Sequence, residues 1–135
     1  MTREETIKVL AILKAAYPAS YKGMTKQEAN GTVMVWATQF ANVPGEVVLI
    51  AVQKLISSSN FPPSISEVKS KLRGLYWESW HIVNSHKQGV TVMDNQTLAR
   101  TEAIMNACRG FNDSASQEPK LEDLLGGVQR YLLGE

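Results

Sequence analysis

Two consecutive prolines, Pro62 and Pro63, constrain the fold of this chain more than any other feature. Each lacks an N–H donor and pushes the residue before it out of the α region, so no helix runs through the pair. Directly after them, Ser64-Ile65-Ser66-Glu67 has the form of a capping box. The Ser64 hydroxyl can accept from the Glu67 N–H while the Glu67 carboxylate reaches back to the Ser64 N–H. One helix must therefore end near Ser59 or Asn60 and another begin at Ser64. Phe61, Pro62, Pro63, Ser64 and Glu67 make a rigid structural corner. Phe61 is expected to plug the core between the helices on either side.

The sequence before the corner divides into three helical stretches. Thr2 with Glu5 predicts a capped start for a helix running to about Tyr17, where Pro18 stops it. Ile7, Leu10, Leu13 and Tyr17 form its apolar stripe. Tyr21-Lys22-Gly23-Met24 connects to a second capping box, Thr25 with Glu28. There Ala29, Val33, Trp36, Ala37 and Phe40 recur at helical spacing to about Asn42. At this spacing Trp36 reads as core. Pro44 suits the first residue of a third helix, with Val47, Val48, Ala51, Val52, Leu55 and Ile56 apolar. After the corner, Ile65, Val68, Leu72 and Leu75 give a fourth. These agreeing signals predict an all-α fold, a small bundle of four main helices over residues 1–80.

The remainder, 81–135, is expected to be less ordered and only partly helical. Tyr76 to His81 can extend the fourth helix by a turn or two. Residues 84–97, with Gly89 and Asp94-Asn95, read as a loop or a short extended piece. Leu98, Ile104, Met105 and Cys108 suggest a fifth helix ending at Gly110. Residues 112–119 are small, polar and turn-rich, the composition of a linker. Leu121, Leu124, Leu125, Val128 and Leu132 then share one helical face. Gly126-Gly127 in their midst costs about 1 kcal/mol per Gly relative to Ala. A short helix with that handicap is marginal alone in water and needs a groove to lie in.

Composition narrows the functional classes. The 135 residues are 44% hydrophobic and 20% charged, enough to bury a core, and no apolar run reaches membrane-span length. The N-terminus lacks the basic-then-apolar layout of a signal peptide. A single cysteine, Cys108, allows no internal disulfide and suits a reducing interior. A net charge of +1 conceals an asymmetry. Residues 1–75 carry nine Lys/Arg against five Glu, and residues 76–135 carry five against eight acids. Neither half has the dense basic face that phosphate binding needs.

Catalytic and cofactor signatures are sparse. No G-x-x-x-x-G-K-[ST] loop occurs, which removes the common route to ATP hydrolysis. One Cys and two His, His81 and His86, are too few and wrongly spaced for a zinc site. Cys108, beside Ile104 and Met105, reads as a buried inert thiol. No nucleophile-elbow pattern is present. The chain is therefore read as a non-enzyme with no catalytic residue, cofactor or metal. Trp77 and Trp80, three apart beside Tyr76, serve equally as a core cap or as an interface anchor. Lys69, Lys71 and Arg73 alternate without sharing a face, so solvated surface is the default.

Several motifs in order carry a family resemblance. They are Glu5-Thr6-Ile7 running into Ala15-Ala16-Tyr17-Pro18; the Tyr21-Lys22 connector; Met24-Thr25-Lys26-Gln27-Glu28-Ala29 with Trp36 and Phe40; and Ala51-Val52, Lys54-Leu55-Ile56 running into Phe61-Pro62-Pro63-Ser64-Ile65 and Glu67. Over residues 1–75 the chain resembles the replicative helicase loader/inhibitor family of phages and prophages of Gram-positive bacteria. The resemblance implies a cytoplasmic adaptor in phage DNA replication, acting in the bacterial host cell. Such an adaptor binds a DnaB-type hexameric replicative helicase, restrains it and delivers it to an origin-bound initiator protein. The helicase contact then falls to the C-terminal segment, and the helical domain faces the initiator. Amphipathicity nominates Leu121, Leu124, Leu125, Val128 and Leu132 as the anchors, with Trp77 and Trp80 beside them. Two competing readings stand: a small helical DNA-binding regulator using Lys69, Lys71 and Arg73, and an inhibitor of a host helicase loader. The modest charge argues against direct nucleic-acid binding.

Overall fold

The computed structural model of the chain describes residues 1–111. They form five α-helices: α1 (Arg3–Ala16), α2 (Lys26–Gln39), α3 (Gly45–Ser58), α4 (Ile65–Lys87) and α5 (Asn95–Cys108). Two 3-10 turns, Pro18–Tyr21 and Arg109–Phe111, complete them, and no strand occurs among the described residues. The expected all-α class is the class observed. The linker expected over 112–119 and the helix expected over 120–133 lie outside the described residues.

Helix starts follow the capping chemistry. Thr2 and Ser64 each form a complete capping box with Glu5 and Glu67. Thr25 accepts from the Glu28 N–H at 3.1 Å but forms only this half of the expected box. Pro44 sits one position earlier than expected, as the N-cap of α3, and offers no side-chain cap. The missing cap comes from another helix. The Glu5 carboxylate accepts from the Thr2 N–H through one oxygen and from the Gly45 N–H through the other, both at 2.9 Å. One carboxylate thus serves the N-termini of α1 and α3, where helix dipoles favour negative charge. The fit is close, since a Cβ at Gly45 would lie 2.8 Å from Cβ and Cδ of Glu5.

The core gathers around Phe40, which is fully buried at the end of α2. Its ring centroid lies 5.7 Å from Trp36 and 6.2 Å from Phe111. Leu13 of α1, Val48 and Val52 of α3, and Val68 and Leu72 of α4 pack into the same cluster. The Met1 amine donates to the Phe40 and Val43 carbonyls. Trp36 is core, as its spacing implied. Helix α4 is the spine. It buries Val68, Leu72, Leu75, Tyr76, Ser79 and Val83, and packs against both α3 and α5.

Three expectations need correction. Phe61 is 78% exposed and plugs nothing. Its N–H donates to the Ser59 hydroxyl oxygen, which in turn donates to the Phe61 carbonyl, and this tight local turn sends the ring outward. Pro63 is the buried residue of the corner. In α1 the buried face is Thr6, Val9 and Leu13, whereas Ile7 is 46% exposed. Finally, residues 84–87 and 95–97 are helical, so the loop between the helices shrinks to 88–94. Gly89, at φ +76°, ends α4 by donating to the His86 carbonyl at 3.0 Å. Asp94 caps α5 by accepting from the Thr97 N–H at 2.6 Å. Helix α4 therefore passes residue 80 without a break.

The contrast between the two phenylalanines is measurable by urea unfolding. Phe40→Ala should cost about 3–5 kcal/mol, while Phe61→Ser should stay within about 0.5 kcal/mol of the parent. Glu5 supplies a pH signature. Hydrogen bonds from Thr2, backbone then side chain, and from the Gly45 N–H hold its carboxyl below the usual 4.5. The stabilisation is present above that unfolded value and is lost as pH falls through the lower folded one. Glu5→Gln should therefore be less stable than the parent at pH 7, with the difference narrowing below pH 4.5; a constant difference would contradict the shared cap.

Candidate partner-binding surfaces

Long α4 carries a row of aromatic side chains. Tyr76 is buried, and its ring centroid lies 4.9 Å from Trp77 in an edge contact. Trp77 meets Trp80 at 5.9 Å, and Trp80 meets His81 at 5.3 Å, both edge-on. Edge-to-face pairs of this kind fix ring orientation beyond what area burial alone does. Trp77 and Trp80 are half-buried, packed against the core on one side and open on the other. Arg109 lies over the Tyr76 ring at 5.7 Å, and Lys54 pairs with Glu78 at 3.7 Å on the exposed surface. The row is thus a rigid, amphipathic strip.

A second surface was not foreseen in the sequence. Ile7, Leu10, Ala11 and Lys14 of α1 line an open groove of about 260 Å3 with Ala29, Thr32 and Val33 of α2, and the connector adds Tyr21 and Met24. Burial pushes the Tyr21 hydroxyl above its ordinary pKa, with the Tyr17 phenol adding to the shift. The signal lay in the surplus of apolar residues on α1. Thr6, Val9 and Leu13 face the core and half-buried Leu10 packs at its edge, which leaves Ile7 exposed on the groove side.

The basic residues of α4 are engaged within the fold. Arg73 donates through Nε to the Phe111 carbonyl at 3.0 Å, and Lys69 donates to the Gln39 side chain. Two of the three cations proposed for a DNA-reading helix are therefore held by the protein itself. Cys108 is fully buried, and burial pushes its thiol up to about 11, the behaviour of a structural cysteine. Among the described residues no three His, Cys, Asp or Glu cluster as metal ligands, and no helix is long and apolar enough to cross a membrane. Leu121, Leu124, Leu125, Val128 and Leu132 lie outside the described residues, and Trp77 and Trp80 lie within them.

These helices can be set beside known proteins. A family model for the N-terminal domain of the phage SPP1 helicase loader/inhibitor matches residues 1–69, just over half of the 135-residue chain. The match ends within α4 and takes in α1, α2, α3 and the Pro-Pro corner. No curated protein and no solved structure matches the chain significantly. The matched region is the one whose motifs carried the resemblance. The chain therefore belongs to the family of the phage SPP1 helicase loader/inhibitor.

Proposed function

We propose that the protein is a non-enzymatic adaptor of phage or prophage DNA replication. It binds a DnaB-type hexameric replicative helicase, restrains it, and delivers it to an origin-bound initiator. The observation that carries this reading is the family match over residues 1–69. A helicase-loader family points to a helicase partner, and the surfaces described above are of the kind that bind proteins. Half-buried aromatic anchors and an apolar groove between helices suit that task. The work is divided along the chain: residues 1–80 serve the initiator side, and residues 81–135 carry the helicase contact. The helicase anchors are Leu121, Leu124, Leu125, Val128 and Leu132, with Trp77 and Trp80 on the adjoining body. The division concerns binding rather than folding, because α5 packs along α4 and buries its own last residue, Cys108, in the core. Engagement of Lys69 and Arg73 within the fold weighs against the DNA-binding reading.

The test uses the full chain and its Leu124→Asp/Leu125→Asp variant, each mixed with the host's hexameric helicase with and without ATP and Mg2+. Size-exclusion chromatography with light scattering reads the complex. The parent should co-elute. The double variant should lose roughly 30-fold or more in affinity, given about 2 kcal/mol for a central anchor. Equal binding by both proteins would move the contact away from the terminal leucines. A parent that never binds would end the helicase reading.

A further inference from the structure

The groove and the terminal leucines can be paired by reach and by charge, and the pairing rests partly on the reading just given. The chain leaves the described structure at Phe111, whose ring packs on Phe40 at the C-terminal end of α2. The groove lies on the same helix, at Val33, Thr32 and Ala29. At 1.5 Å per residue, Val33 is about 10 Å from Phe40 along the helix axis, and Ala29 about 16 Å. Residues 112–120 can span about 30 Å when extended. The tether therefore reaches the groove with length to spare. A helix over 121–132 would be about 18 Å long, longer than the groove walls, which run about 10 Å along α1 from Ile7 to Lys14 and about 6 Å along α2 from Ala29 to Val33.

Charge favours the same pairing. Lys8, Lys14, Lys22 and Lys26 are exposed on and around the groove-forming elements, against Glu4 and Glu28. None of those four lysines makes an ion pair among the described residues. Residues 112–135 carry five carboxylate side chains, Glu122 and Asp123 among them, against Lys120 and Arg130. The acidic composition of residues 112–135 is thus opposite in sign to the lysines on and around the groove-forming elements. Tethering raises its effective concentration to the millimolar range typical of short linkers, so a weak fit suffices.

We propose that residues 121–132 seat in the α1–α2 groove of their own chain, covering the leucines assigned to the helicase until the helicase displaces them. Free protein is then held in a guarded state, and either the groove or the helicase holds the leucines at any moment.

The full-length protein carries its own control, since buried Cys108 should not react when a nitroxide is attached at Arg130→Cys, a position opposite the leucine face. The nitroxide should broaden the amide NMR signals of Ile7, Leu10, Met24 and Val33. Met24→Asp, at an exposed groove position, should abolish that broadening, and added helicase should diminish it. Absent broadening, broadening centred elsewhere, or broadening that survives Met24→Asp would overturn the docking. Broadening that grows with protein concentration would also overturn it, by assigning the groove to a second copy's segment. Full broadening with helicase bound would overturn the displacement. A helicase that fails to bind the parent would defeat the functional reading alone, with the docking still decided by the spectra of the free protein.

Discussion

The Glu5 carboxylate sits between two helix N-termini, and the roll of α1 about its axis follows from it. One oxygen completes the α1 capping box at Thr2, and the other takes the Gly45 N–H that Pro44 leaves uncapped. With Glu5 turned toward α3, the next residue, Thr6, enters the core, and its hydroxyl bonds back to the Thr2 carbonyl at 2.7 Å. Val9 and Leu13 follow on the same face. Ile7 is then carried round to the exposed wall of the groove, and half-buried Leu10 packs against the core while also lining it. A bond at the helix end thus decides which apolar residues become core and which become surface. The absence of a Cβ at Gly45 is what lets Glu5 approach closely enough to make it.

The same bond explains what the sequence could and could not disclose. Ser64 and Glu67 announce their box within four residues, and the prolines before them leave no alternative. The corner was therefore legible. Val33, Trp36 and Phe40 were legible as core because α2 buries one narrow stripe. In α1 the apolar residues are too numerous for one face, and choosing among them requires knowing where Gly45 lies, forty residues away. Phe61 misled for another reason. Large aromatic side chains are usually buried, but a hydroxyl two residues back turns this one to solvent. At the far end, Gly89 and Asp94 carried standard stop and start signals for helices. The run Val90-Thr91-Val92 between them reads as loop or extended chain, and so the loop looked longer than it is.

The arrangement supports an adaptor through rigidity as much as through contact surface. Edge-on contacts from Tyr76 through Trp77 and Trp80 to His81 hold the aromatic row in one geometry, on a helix that packs against both α3 and α5. Preorganised anchors lose little entropy on binding. Two glycines weaken any helix the terminal leucines form alone, so those leucines gain most from a surface that orders them. Cys108 and Arg73 belong to the helical body: the first fills the core, and the second ties Phe111 to α4.

Hydrogen–deuterium exchange of the full-length chain, with and without the helicase hexamer, tests the adaptor account most directly. The account predicts that helicase slows exchange in residues 112–135 and around Trp77 and Trp80, leaving α3 at its free rate. Slowing confined to α1, α2 and α3, with residues 112–135 unchanged, would contradict it and place the helicase on the N-terminal helices.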